Sequence, residues 1–214
     1  MRDETGPAPW RVLSSRITYE DRWIKIRSDE CVTADGALVS PYHVVEYRDF
    51  TAIVALTRDL ELVTLREYRH GRARVIAGVA GGIVDDGQGP DAAEATARRE
   101  LLEETGYGGG RFIPILTTYP DPANQSNIAT AFLALGVESA GIQALESSET
   151  IDVVLDDFPT VLARLRDGTM LMHAVHVAAV WTAAARIVAG DESVKEAAPL
   201  RDRLLAVFQG RTPG

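Results

Sequence analysis

Arg99-Glu100-Leu101-Leu102-Glu103-Glu104-Thr105-Gly106-Tyr107 closes a helix predicted over 92–105 and sets three glutamates on one side of it. Thr96 is the only β-branched residue of that helix before Thr105, and Gly106 suits the left-handed position that ends a helix. Asp91 is placed to cap its start, with Glu94 three residues on as a capping-box partner. On the helix, Glu100, Glu103 and Glu104 stand at i, i+3 and i+4 and share a face. Ala97, Leu101 and Leu102 are expected to turn to the core. Three carboxylates this close repel one another by about 0.2–0.5 kcal/mol per exposed pair. A divalent cation turns that repulsion into ligation, and an all-oxygen donor set suits magnesium. Arg99 can brace the cluster or neutralise part of its charge. A solvated acidic helix face is the plain alternative for a bare Glu-x-x-Glu-Glu.

Upstream, residues 75–89 include Gly78, Gly81, Gly82, Gly87 and Gly89, a loop that permits close approach of backbone to a ligand. Its spacing is not that of a dinucleotide fingerprint. Before it, 51–57 and 61–67 flank Arg58-Asp59-Leu60 as a hairpin. Strands at 12–19, 23–33 and 38–47, with a turn at Ala34-Asp35-Gly36, form a small antiparallel unit. Downstream, strands at 111–118 and 128–135 enclose a long loop, 119–127, and a short strand covers 151–155. Helices are expected at 158–166, 171–188 and 200–208. Strands and helices mix without strict alternation, so the fold class is α+β with a mixed-sheet sandwich. The organisation expected is an antiparallel unit over 1–48, a catalytic domain over 49–190 and a helical tail over 191–214.

The 214 residues carry a formal net charge of −9, which argues against nucleic acid as a partner. A few arginines and a bound cation still accommodate a small phosphorylated ligand. The most apolar stretch, 170–188, is interrupted by His173, His176 and Arg186, so a buried helix is expected there rather than a membrane span. Residues 1–10 are charged and lack the apolar core of a signal peptide. The lone Cys31 reads as a small buried residue in a reducing cytoplasm rather than a catalytic thiol. His173 and His176 stand three apart with no carboxylate at matching spacing, so packing or a dimer contact outweighs a metal pair.

The segment from Arg99 to Tyr107 resembles the second half of the Nudix box, Gly-x5-Glu-x7-Arg-Glu-U-x-Glu-Glu-x-Gly-U, where U is bulky and apolar or aromatic. The first half departs from it. Counting back puts Asp91 at the first Glu and Asp85 at the first Gly; Gly82 lies three residues too early, which implies an insertion near Gln88-Gly89-Pro90. Asp91 thus has two readings, a carboxylate role or a helix cap.

Within that superfamily the chain resembles the ADP-ribose pyrophosphatase group. Residues 11–48 look like its N-terminal antiparallel unit, which implies a homodimer. Arg66-Glu67-Tyr68-Arg69 matches an Arg-x-Tyr-Arg segment on a strand, nominating Arg66 and Arg69 for substrate binding. For Arg69 a phosphate or ribose contact stands against a surface ion pair. Ala77-Gly78-Val79-Ala80-Gly81 stands where the group has Glu-Leu-Pro-Ala-Gly, so the Glu and the Pro are both missing. The resemblance implies Mg2+, with Mn2+ as a substitute, held by Glu100, Glu103, Glu104 and the Ala80 carbonyl. Glu103 and Arg99 also count among the catalytic residues. It implies a water-activating glutamate near 146–152, and Glu149 is best placed, against an acidic surface loop; Glu146 and Asp152 are its neighbours. The loop 119–125 falls where related proteins place a substrate-facing segment.

The implied reaction is hydrolysis of the pyrophosphate bond of a nucleoside diphosphate derivative, ADP-ribose giving AMP and ribose 5-phosphate. Nucleotide sugars are the near alternative, and a nucleotide sensor without turnover is the rival of another class. RNA cap removal fits poorly with the acidic charge.

Overall fold

A computed structural model describes residues 6–84 and 89–213, which leaves Asp85 and, of the implied insertion near Gln88-Gly89-Pro90, Gln88 outside the described residues. The contacts divide the chain into two units, 1–48 with 119–128, and 49–118 with 129–214.

The first unit is a three-stranded antiparallel sheet, β1 (Arg11–Glu20), β2 (Lys25–Val32) and β3 (Leu38–Val45), with β2 in the middle. Gly36, at φ +86°, makes the turn predicted at 34–36, and Thr33 N–H reaches Ala37 C=O at 2.9 Å. Every residue of β1 is exposed, Val12, Leu13, Ile17 and Tyr19 among them, and Trp23 follows at 65% exposure. Segment 119–128 belongs to this unit: Asn124 C=O accepts from Val45 N–H at 2.7 Å, and Asn127 Nδ2 donates to Arg48 C=O at 3.1 Å.

The second unit is built on a mixed sheet. Its strands are β4 (Phe50–Thr57), β5 (Glu61–Arg69), β6 (Arg74–Gly78), β7 (Tyr107–Gly108), β8 (Arg111–Thr118), β9 (Ala129–Ser139) and β10 (Ile151–Asp157). The order is β10-β5-β4-β9-β7, with β6 also on β5 and β8 also on β9. The β4–β9 pair is parallel, Phe50 opposite Ala129 through Leu56 opposite Leu135, and the other pairs are antiparallel. Alternation of side chains sorts β4 between two cores. Ala52, Val54 and Leu56 join the side chains of α2 (Phe158–Arg166), α3 (Ala174–Ala189) and α4 (Arg201–Phe208), while Ile53 and Ala55 join Ala93, Ala97 and Leu101 of α1 (Pro90–Thr105). Helices thus cover both faces, the sandwich expected of an α+β chain. Residues 191–200, mostly 3-10, pack Val194, Ala197 and Leu200 into the α3 side. Among the described residues no helix is long and apolar enough to cross a membrane.

Three expectations need correction. Helix α1 starts at Pro90 with Gly89 as its N-cap, and Asp91 makes no side-chain capping bond. Proline at the first helical position is already set to helical φ and has no N–H to leave unpaired. Glu94 accordingly pairs with Arg98 at 2.8 Å instead of closing a capping box. Leu102 is 40% exposed, because a 100° step per residue carries it off the stripe of Ala93, Ala97 and Leu101. Arg74–Gly78 is a strand on β5, not loop, with Leu65 opposite Gly78 and Arg69 opposite Arg74.

Candidate active site

Helix α1 places Glu100 and Glu104 one turn apart on the side facing the loop after β6. That loop runs beside β4: Ile53 N–H donates to Ala80 C=O at 2.8 Å and Thr51 N–H to Gly82 C=O at 2.9 Å. The Gly81 N–H, on the far side of the same trans peptide as the Ala80 carbonyl, donates to Glu104 Oε2 at 2.9 Å. Two glycines make this approach feasible. A Cβ on Gly81 would sit 2.2 Å from Thr51 O, and one on Gly82 would sit 2.2 Å from the Glu100 carboxyl.

The Glu104 side chain is almost fully buried, and its carboxyl is pushed up to about 8. Burial is the main cause, the Gly81 N–H opposes it, and the charges of Glu100, Glu149 and Glu67 add to the rise. Burial also raises Glu100, against the pull of Arg99 and with a push from Glu103 and Glu149. Glu67 is raised by burial and by Glu149, with Arg69 opposing. Glu67, Glu100, Glu104 and Glu149 therefore feel one another across a partly desolvated space. Arg99 spans the outer side of the helix, at 2.7 Å from Glu100 and 2.6 Å from Glu103.

Glu149 is held over this space by a loop fastened to the end of α1. Gly106, at φ +72°, ends the helix, and Ala140 and Gly141 N–H donate to its carbonyl at 2.8 and 3.1 Å. Ala144 N–H caps Glu103 C=O at 2.8 Å, and Gln143 Nε2 donates to Glu104 C=O at 2.7 Å. These bonds satisfy carbonyls a helix end otherwise leaves open. Glu149 itself accepts from Glu146 N–H at 2.9 Å.

The structure therefore brings Glu100, Glu104 and Glu149 together, with Glu103 and Arg99 at the edge. The Ala80 carbonyl already has Ile53 as donor, so ligation there would draw on its second lone pair. Arg69 is half exposed at the end of β5 and pairs with Glu67 at 2.7 Å. Arg66 is not part of the group. It alternates to the other sheet face, bonds Asp156 at 2.8 Å, and lines a 370 Å³ cleft with Arg74 and Arg164. Glu146 and Asp152 are exposed. His173 Nδ1 accepts from Val175 N–H and His176 Nδ1 from Val79 N–H, so neither Nδ1 is free for a metal. Among the described residues no group of three or more His, Cys, Asp and Glu side chains is set to hold a metal ion. The donors are nonetheless all hard oxygens, and crowding penalises their charge, which suits a divalent cation. Two contributors escaped the sequence reading. Glu67 was legible from strand alternation with Val63 and Leu65, whereas Gln143 carried no local signal.

Comparison with known proteins agrees with this geometry. Residues 47–169 match the NUDIX domain family, and residues 10–45 match the nucleoside diphosphate sugar hydrolase N-terminal domain. The chain is 30% identical over 132 residues to the ADP-ribose pyrophosphatase of Bacillus subtilis, covering 60% of this chain and 70% of that protein. It is 24% identical over 151 residues to the methanol dehydrogenase activator of Bacillus methanolicus, covering 69% and 80%. A crystal structure of an ADP compounds hydrolase shares the fold, with a TM-score of 0.72 at 18% identity over 87% of this chain and 98% of the other. The chain belongs to the Nudix family as a Nudix hydrolase of the ADP-ribose pyrophosphatase group, which cleaves the pyrophosphate bond of nucleoside diphosphate derivatives.

Proposed function

We propose that the substrate is ADP-ribose, released as AMP and ribose 5-phosphate, and that the required cation is Mg2+ held at Glu100, Glu103 and Glu104. The observation that carries this reading is the set of carboxylates turned on one another at a half-buried place, with Glu104 pushed up to about 8. Bound there, Mg2+ supplies positive charge against the bridging phosphates and the attacking oxygen. The chain does the rest. Gly81 N–H fixes the Glu104 carboxylate, and Arg99 balances Glu100 and Glu103 when no substrate is present. Glu149 takes the proton of the attacking water as general base. Arg69, at the end of a strand, offers a guanidinium to phosphate or ribose.

Nucleotide sugars are a second reading, favoured by the match of residues 10–45 to the N-terminal domain of nucleoside diphosphate sugar hydrolases. A panel of nucleoside diphosphate derivatives with Mg2+, with products identified by chromatography, separates the two. We also propose a homodimer formed through residues 11–48, because the fully exposed β1 carries Val12, Leu13, Ile17 and Tyr19, and a small sheet needs cover for such a face. Light scattering at micromolar concentration should give twice the chain mass; a monomer would refute it. The cytoplasm is the compartment we assign.

A further inference from the structure

Val79 stands where the Glu-Leu-Pro-Ala-Gly pattern has proline, and the exchange adds a hydrogen-bond donor. Proline has no N–H to satisfy. Valine has one, and Val79 is 1% exposed. A buried backbone N–H left without an acceptor is costly and rare. Here it has one: Val79 N–H donates to Nδ1 of His176 at 3.3 Å. His176 comes from α3 and is itself buried. The ring fits because the preceding residue is Gly78, where a Cβ would lie 3.2 Å from Nδ1 and 3.6 Å from Cε1. Gly78, Val79 and His176 are thus matched to one another. Two peptides further on is the one whose carbonyl, from Ala80, faces Ile53 and whose N–H, from Gly81, holds Glu104.

We propose that His176 is a positioning residue: by accepting the Val79 N–H it fixes the backbone that presents the Gly81 N–H to Glu104, in place of the proline this chain lacks. Burial, with smaller pushes from His173 and Arg69, holds the imidazole down to about 3. The ring therefore stays neutral and Nδ1 keeps its lone pair.

The proposal rests on Glu104 being part of the active site, so its test has one arm that needs no turnover. In 15N-labelled protein without metal, long-range proton–nitrogen correlation should show His176 protonated on Nε2 and bare on Nδ1, with the Val79 amide protected from exchange. In His176→Leu that protection should drop by about tenfold or more, the scale of a lost buried hydrogen bond. With Mg2+ and ADP-ribose, the same variant should lose about tenfold or more in kcat with little change in KM. Adding Val79→Pro should restore most of that loss, since no donor is left to satisfy. Gly78 favours the rescue, because the residue before a proline is restricted partly through its Cβ. His176→Gln, which keeps an acceptor, serves if the leucine variant does not fold. A proton on Nδ1 in the parent protein would overturn the proposal. So would a folded double variant no better than His176→Leu, since packing alone would then explain the loss. Absence of turnover in the parent protein would instead count against the substrate reading, while tautomer and exchange still decide this one.

Discussion

Replacing Glu104 with glutamine keeps the shape of the side chain and an oxygen to accept the Gly81 N–H, but removes the charge. In the folded protein this carboxyl holds its proton up to about 8, whereas an unperturbed glutamate releases it near 4.5. Between those values the unfolded chain binds fewer protons than the native one, so stability falls as pH rises. The contribution is fully present below about 4.5 and lost by about 8. The span corresponds to on the order of 5 kcal/mol, at 1.36 kcal/mol per pH unit. The rises of Glu67 and Glu100 act in the same direction. Glu104→Gln should therefore match the parent protein near pH 4.5 in chelator and exceed it near pH 8.5. For a chain of this size the gain is on the order of 10 °C in Tm. Thermal unfolding in EDTA across that range is the assay. Hydrolysis with Mg2+ should be almost abolished in the same variant. Identical pH profiles for the two proteins would refute a buried, charge-crowded Glu104; near-normal turnover would refute its role as a metal ligand.

Glu149→Gln should lower kcat by roughly 10²–10⁴-fold, with KM and Mg2+ affinity changed much less; a fall under about tenfold moves the base to another residue, and a large loss of Mg2+ affinity makes Glu149 a ligand. Gly82→Ala places a methyl group on the Glu100 carboxyl, 2.2 Å away before relaxation. It should cost about 1–3 kcal/mol in urea unfolding and reduce turnover by about tenfold or more; wild-type kinetics would show that Glu100 moves aside freely.

The acidic helix was legible because its signals are local: a spacing that puts three glutamates on one face, and a glycine that ends the turn. The hairpin at Arg58-Asp59-Leu60 and the turn at Gly36 were legible for the same reason, since each rests on a few adjacent residues. The start of α1 was misjudged because two local signals compete there, and Pro90 took the first helical position ahead of the cap at Asp91. Strand β6 was missed because its glycine pointed to a loop, while its partner, β5, supplies the pairing from across a turn. Arg66 and Arg69 looked equivalent in sequence, yet strand alternation sends Arg66 to the opposite face, where it bonds Asp156. The Val79–His176 bond joins residues 97 positions apart and has no local signature.

Purified protein incubated with ADP-ribose and Mg2+, with products separated by chromatography, tests the assignment most directly. AMP and ribose 5-phosphate should form in equal amounts, and EDTA should stop the reaction. Tight binding of ADP-ribose and nucleotide sugars without release of any nucleoside monophosphate, in Mg2+ or Mn2+, would contradict it and mark the protein as a sensor.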